Sequence, residues 1–311
     1  MGRILMLGSN GQIGTVLAEA LRNKYGSDQV ITSDLRPPKH QTGRFLELDV
    51  LDKEKLSRTI DELGVSQIYH LAAILSASGE KNPELTWKVN MQGLLNVLDL
   101  GVEKKIERIF FPSSIAIYGP TTPKQNTPQF GSFMPSTVYG ISKITGEMWC
   151  EYYHKRYGLD VRSLRYPGVI GWQSLPEGGT TDYAVEIYHG ALKNKHYACF
   201  LKADTRLPMI YMDDVIRATI ELMEADGNRL SLRSGYNLSG MSFTPAEIAA
   251  EIKKHIPDFH IDYQPDFRQQ IAESWTESID DSAARKDWDW KPEFNLAAMT
   301  SDMLEKLGPQ Y

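Results

Sequence analysis

The chain has 311 residues, 41% hydrophobic and 24% charged, the balance of an ordinary globular protein holding one large domain or a core domain with a smaller appendage. A net charge of −6 gives no electrostatic reason to expect nucleic acid or an anionic membrane as partner. No apolar run approaches the roughly 18 residues of a membrane span, and a strand-like run from Arg3 leaves no room for a signal or transit peptide. The two cysteines, Cys150 and Cys199, stand outside any metal-ligand spacing, so a reducing, cytoplasmic setting and no metal are expected.

In chain order, short apolar runs alternate with longer amphipathic ones, which predicts a parallel sheet flanked by helices. Strands are expected at Arg3–Leu7, Val30–Ser33, Arg44–Leu48, Gln67–Leu71, Arg108–Pro112 and Val161–Arg165. Helices are expected at Ile13–Tyr25, Lys53–Leu63, Glu84–Val102 and Tyr139–Tyr157. Between the last two, Pro120, Pro123, Pro128 and Pro135 mark a loop where neither helix nor strand settles. Beyond about residue 170 the pattern loosens. Helices fit Tyr183–Leu192 and Asp214–Glu224, and Met209–Met212 is strand-like. Thr244-Pro245-Ala246-Glu247 is a capping box that opens a helix running to about His255. The fold class expected is α/β, a doubly wound parallel sheet (Rossmann fold). Residues 1–170 form the dinucleotide-binding domain, some later segments return to it, and residues 171–311 form mainly a smaller substrate-binding lobe.

Gly8-Ser9-Asn10-Gly11-Gln12-Ile13-Gly14 follows the first strand and opens the first helix. Glycines there permit a tight turn and let the backbone approach a pyrophosphate seated on the helix N-terminus. Glycine-rich turns also occur merely to turn a chain; what comes next decides. Asp34 lies 20 residues after Gly14, at the end of the second strand, where a carboxylate accepts bonds from ribose hydroxyls and repels a 2′-phosphate. NAD is therefore expected over NADP, with Leu35 beside it and Arg36 as the one contrary charge. Asp49-Val50, ending the third strand, is placed to meet the adenine edge or simply to close the strand.

Tyr139 and Lys143 stand four apart at the start of a helix and share a face. A neighbouring ammonium favours the phenolate, so the pair suits proton abstraction, with Lys143 also available to a ribose. Pro112-Ser113-Ser114 ends the fifth strand and supplies a hydroxyl for the substrate oxygen. Each feature alone is common; the combination argues for catalysis.

Together the glycine motif, Leu71-Ala72-Ala73, Asn90, Ser114, Tyr139 and Lys143 resemble the extended short-chain dehydrogenase family across nearly the full length. The resemblance implies an NAD enzyme in which Ser114 rather than Ser113 assists Tyr139 and Lys143. It implies that Leu71, Ala72 and Ala73 line the cofactor and that Asn90 braces the sheet near it. Tyr166 and Val169 complete the expected cofactor set. Segments at Leu75–Glu80, Pro135–Gly140, Arg165–Gly168, Gly178–Glu186 and Leu207–Asp214 are similar to the short-chain L-threonine 3-dehydrogenase branch of that family. That likeness implies oxidation of the C3 hydroxyl of L-threonine. Ser76, Ser78, Ser114, Tyr139, Gly178, Gly179, Thr180 and Thr181 are the candidate substrate contacts, though loop hydroxyls often cap their own backbone. Asp182 suits either an ammonium partner or a helix cap. The alternatives are a nucleotide-sugar epimerase on the same fold and a non-catalytic module that senses NAD. Against the first, Arg206 sits one position early for a diphosphate partner; against the second, Tyr139 and Lys143 are both kept. Family members usually pair through two helices, here Glu84–Val102 and Tyr139–Tyr157, so a homodimer is expected, with Leu94, Leu95, Val97 and Leu98 suited to the interface.

Overall fold

Arg3–Leu7 forms strand β1, and its apolar residues are buried on both faces of the sheet, as the centre of a parallel sheet requires. The computed structural model describes residues 2–38, 42–176 and 179–311. After β1 come α1 (Gln12–Tyr25), β2 (Val30–Asp34), β3 (Phe45–Glu47), α2 (Lys53–Leu63) and β4 (Val65–His70). Two short helices, α3 (Ser76–Gly79) and α4 (Pro83–Trp87), lead through a π-helical turn at Lys88–Gln92 into α5 (Gly93–Glu103). Then follow β5 (Arg108–Ser114), α6 (Val138–Tyr157), β6 (Val161–Tyr166), β7 (Gly168–Ile170), α7 (Tyr183–Asn194), β8 (His196–Cys199) and β9 (Leu207–Tyr211). The remainder is α8 (Met212–Glu224), β10 (Tyr236–Asn237), β11 (Met241–Phe243), α9 (Pro245–His255), β12 (His260–Tyr263), α10 (Arg268–Ser274), α11 (Ser282–Trp288) and α12 (Leu296–Leu307).

The main sheet has the order β10-β6-β5-β4-β1-β2-β3. Pairs β1–β2, β1–β4, β2–β3 and β4–β5 are all parallel, with Leu7 opposite both Ser33 and His70. Strand order reverses between β1 and β4, the switch point at which open α/β sheets take their ligands. The expected doubly wound sheet is present.

Contacts divide the chain into two units. The first joins Met1–Ile117, Pro135–Arg165 and Ile216–Tyr236; the second joins Tyr118–Met134, Tyr166–Val215 and Asn237–Tyr311. In the first unit, Leu5, Ile31 and Ile68 of the sheet pack with Leu94, Val97, Leu98 and Cys150 of the helices into one core. In the second, a three-stranded sheet β11-β9-β7 and a pair β12-β8 surround a core built from Tyr183, Tyr188, Tyr211, Phe259 and Met299. The capping box of α9 is complete: the Thr244 side chain accepts from Glu247 N–H and the Glu247 carboxylate from Thr244 N–H. No helix among the described residues is long and apolar enough to cross a membrane.

Candidate active site

The turn after β1 uses its three glycines differently. Gly8 has φ +80°, and a Cβ there would meet the Ala72 backbone at 2.5 Å. A Cβ on Gly14 would lie 2.7 Å from the Gly8 carbonyl, so α1 approaches the turn as closely as it does only because that carbon is missing. Gly11 is open: the nearest atom to a Cβ there is 3.8 Å away, outside any need of the fold. It is the N-cap of α1, no side chain caps it, and the first turn carries no acidic residue. Bare N–H groups, a positive helix end and open space beside Gly11, Gln12 and Ile13 fit a diphosphate.

Asp34 ends β2 and accepts from the Asn10 N–H at 3.0 Å and the Leu35 N–H at 2.7 Å, while the Asn10 side chain donates to the Arg36 carbonyl at 2.6 Å. The glycine turn and the acidic strand end are thus one bonded unit, with Leu35 and Arg36 exposed beside it. On the next strand edge, Asp49 is exposed and accepts from Leu51 N–H, closing its own turn. Val50 is a core residue: it is buried, and a Cβ on Gly93 would press on it at 2.8 Å. Leu71, after β4, donates to the Leu7 carbonyl at 2.8 Å, and Ala72 and Ala73 follow, partly buried. Asn90, in the π turn, holds this loop by accepting from Ile74 N–H and donating to the Ile74 carbonyl, and its amide also reaches Ser142 of α6. A π turn shifts one residue out of helical register, here the one that bridges loop and helix.

Helix α6 starts on Thr137, whose hydroxyl accepts from Gly140 N–H at 3.0 Å. A Cβ on Gly140 would fall 2.2 Å from the Ala116 carbonyl, so the first turn lies directly on the turn that follows β5. This brings Tyr139 to Ser114, whose hydroxyl accepts from Ala116 N–H at 3.1 Å and favours the phenolate of Tyr139. Lys143, only 4% exposed, donates from Nζ to the Pro112 carbonyl at 2.7 Å and sits 5.4 Å from the centre of the Tyr139 ring. Ser114, Tyr139 and Lys143 are therefore brought together.

The electrostatics differ from the expectation that Lys143 lowers the phenol. Desolvation pushes Tyr139 up to about 12, and the Ser114 hydrogen bond works the other way. Burial pushes Lys143 down to about 7, with Cys150 and Glu147 opposing. Both charges are costly in a site from which water is displaced, and the lysine spends its proton on a backbone carbonyl rather than on the phenol. His70, the other candidate base in this unit, is buried and pushed down to about 3 by burial and by Lys143, too low to hold a proton between turnovers. His189 belongs to the second unit, where its Nδ1 lies 2.7 Å from the Tyr311 hydroxyl.

The dimer expectation needs correction in its residues. Leu94, Val97 and Leu98 are wholly buried in the first unit's core, and Leu95 is partly buried against it. The sheet takes that stripe. Exposed apolar side chains lie instead on α6, at Ile141, Met148, Trp149, Tyr152 and Tyr157.

Of the substrate candidates, Ser76 opens α3, and Ser78 donates to the Leu75 carbonyl at 3.3 Å, capping its own backbone. In the second unit Thr180 is buried, and the Thr181 side chain packs where a Cβ of Gly168 would be. Gly179 N–H donates to Asp182 at 2.7 Å; Asp182 is the N-cap residue of α7, but its carboxylate makes no cap hydrogen bond to the helix. Gly178 lies outside the described residues. Tyr166, buried, ends β6, and Val169 pairs with Ile210 in β7–β9. Among the described residues no group of three or more His, Cys, Asp or Glu side chains is placed to hold a metal ion.

Sequence reasoning missed Asn10, Pro112, Ser113, Glu147 and Arg165. Only Glu147 left a signal, since it continues the four-residue step from Tyr139 to Lys143.

Residues 4–233 match the model of the NAD dependent epimerase/dehydratase family. The mitochondrial L-threonine 3-dehydrogenase of Bos taurus is 48% identical over 99% of this chain and 83% of its own length. The holo form of the L-threonine dehydrogenase of Cupriavidus necator superposes with a TM-score of 0.96 at 53% identity, over 98% of this chain and 99% of the other. A monomeric L-threonine 3-dehydrogenase from a metagenome superposes at 0.95 with 50% identity, over 99% of each chain. With the glycine turn, the acidic strand end and the Ser-Tyr-Lys cluster in place, this chain belongs to the NAD dependent epimerase/dehydratase family.

Proposed function

We propose that the protein oxidises the C3 hydroxyl of L-threonine to the ketone, giving 2-amino-3-oxobutanoate, with NAD⁺ as acceptor. The observation that carries this reading is the convergence of Ser114, Tyr139 and Lys143 at the same sheet edge as the glycine turn, in a chain matched nearly end to end by proteins named for that reaction. NAD⁺, when bound, accepts the hydride from C3. Tyr139 takes the hydroxyl proton, and Ser114 holds the substrate oxygen. Lys143 places a cation beside the phenolate and the nicotinamide ribose. Gly11, Gln12 and Ile13 receive the diphosphate, and Asp34 receives the adenosine ribose, which selects NAD over NADP. Leu71, Ala72, Ala73, Tyr166 and Val169 belong to the same cofactor set. Ser76, Thr180 and Thr181 remain the candidates for the amino-acid end of the substrate. A sugar-nucleotide reading is weaker because Arg206 is already engaged, donating to the Ser242 carbonyl at 2.8 Å and to Glu247 at 2.5 Å.

The test is NADH formation with L-threonine and L-serine, alongside conversion of UDP-glucose to its 4-epimer, a reaction with no net NADH that is followed by product analysis. Threonine should exceed serine by at least tenfold, since one methyl-sized pocket discriminates by roughly 10–200-fold. Equal or faster turnover of UDP-glucose would overturn the reading.

Self-association belongs to the same reading. Met148 is 65% exposed and Tyr152 48%, and Trp149, Tyr152 and Tyr157 form an edge-to-face series along α6. A run of large apolar groups on one surface helix suits a helix-to-helix homodimer. The buried, unpaired Cys150 and Cys199 fit a cytoplasmic location.

A further inference from the structure

Tyr139, Lys143 and Glu147 lie one below another on a single face of α6, and each meets a different one of three consecutive residues at the end of β5. Tyr139 lies beside Ser114, Lys143 donates to the Pro112 carbonyl, and Ser113 Oγ donates to Glu147 Oε1 at 2.5 Å. The third staple is not isolated. Arg165 of the neighbouring strand β6 donates to both oxygens of the same carboxylate, Nε to Oε1 at 2.9 Å and a terminal nitrogen to Oε2 at 2.7 Å. The side chains of Glu147 and Arg165 are 1% and 3% exposed. Gly235 covers the pair so closely that a Cβ there would lie 2.5 Å from Oε1. On the same helix, a Cβ on Gly146 would meet the Phe111 ring at 2.6 Å. Helix and strand are therefore pressed together along the length of the site.

An ion pair taken wholly out of water is an expensive way to join a helix to a sheet, and apolar residues of similar volume often do it as well or better. Its placement explains why it is there. We infer that Glu147, held by Arg165 and Ser113, is a positioning residue for catalysis: it sets the register of α6, and with it Tyr139 and Lys143, against β5. This rests on the proposed roles of Ser114, Tyr139 and Lys143.

The register follows from geometry. Ser113 and Ser114 are adjacent, so fixing one hydroxyl fixes the strand end that carries the other, and displacements of about 1 Å in such a site cost on the order of 100-fold in rate.

Three variants test this with L-threonine, NAD⁺ and a full pH range: Ser113→Ala, Glu147→Gln and, as control, Tyr139→Phe. Ser113→Ala cuts one staple and leaves the ion pair whole. We expect folding by circular dichroism, kcat reduced about tenfold, KM within about threefold and an unmoved pH profile. Glu147→Gln should lower kcat at least as far, with KM again within about threefold. Should Glu147→Gln not fold, Ser113→Ala decides. The inference is overturned if folded Ser113→Ala, or folded Glu147→Gln, keeps kcat within twofold. Retained turnover in Tyr139→Phe would instead overturn the site assignment beneath it.

Discussion

Lys143 donates a hydrogen bond to the Pro112 carbonyl at 2.7 Å and is held inside the first unit, so its charge is kept at the expense of stability. The direction with pH follows from the two states. Burial lowers Lys143 from 10.5 to about 7 in the folded chain. Below about pH 7 both states are protonated, and folding carries the full cost of a buried ammonium. Between there and 10.5 the unfolded chain binds more protons, so stability rises with pH, and above 10.5 the cost is gone. Lys143→Met should therefore raise the Tm near pH 6.5, and the gain should shrink by about pH 10. Turnover and NADH affinity should fall at every pH. Thermal melts at the two pH values, with NADH fluorescence titration, check both statements; a lower Tm for the variant at pH 6.5 would contradict the first.

Asp34, proposed to select NAD⁺, also ties down the glycine turn through the Asn10 and Leu35 N–H groups. Asp34→Ser keeps a small acceptor but removes the charge that repels a 2′-phosphate. The ratio of kcat/KM for NAD⁺ over NADP⁺ should fall at least tenfold, with part of the change appearing as weaker NAD⁺ binding because the turn loosens. A native enzyme that prefers NADP⁺ would make Arg36 the deciding residue.

What the sequence disclosed, and what it hid, follows the range of each interaction. The glycine turn, Asp34 and the Tyr139–Lys143 pair are legible because their spacing within a few residues is itself the chemistry. The sheet is legible for the same reason: each apolar run is a local pattern, and β1, α2 and α9 fall where periodicity and capping place them. Arg165 gives no signal, because its meaning comes from Glu147 across a helix–strand crossing. The Lys88–Gln92 π turn is silent too, since one extra residue per turn leaves the amphipathic pattern of α4 and α5 almost unchanged. Leu94, Val97 and Leu98 were misplaced because an apolar stripe does not say which neighbour it faces. Between residues 256 and 290 the elements are short, β12 at four residues and α10 and α11 at seven each, too brief for periodicity to declare itself.

The exposed face of α6 gives an oligomer prediction independent of the chemistry. Met148→Glu with Tyr152→Glu puts charge into the centre of the patch, where neither side chain serves the core. Light scattering should show the wild-type chain as a dimer and the variant as a monomer, with a far-ultraviolet spectrum unchanged. A wild-type monomer would align this chain with the monomeric relative and leave the aromatic series without a partner.

Tyr139→Phe removes one oxygen and keeps the ring, so the α6 start, capped by Thr137 and seated on the Ala116 carbonyl through Gly140, should persist. NADH should bind with affinity close to wild type, because Lys143 keeps its bond to Pro112. Turnover should fall by about 10²–10⁴-fold, the range that general acid–base catalysis supplies. The wild-type rate should rise with pH, because the group that takes the proton must first lose its own, and in the free protein desolvation places it at about 12. That rise should vanish in the residual activity of the variant. Its midpoint should lie below the free-protein value once the cofactor's positive ring is beside the phenol, since a nearby cation favours the phenolate. Steady-state kinetics from about pH 6 to 10.5 on both proteins settle the point: a variant with near-normal kcat, or one that keeps the pH dependence, assigns the proton to another group.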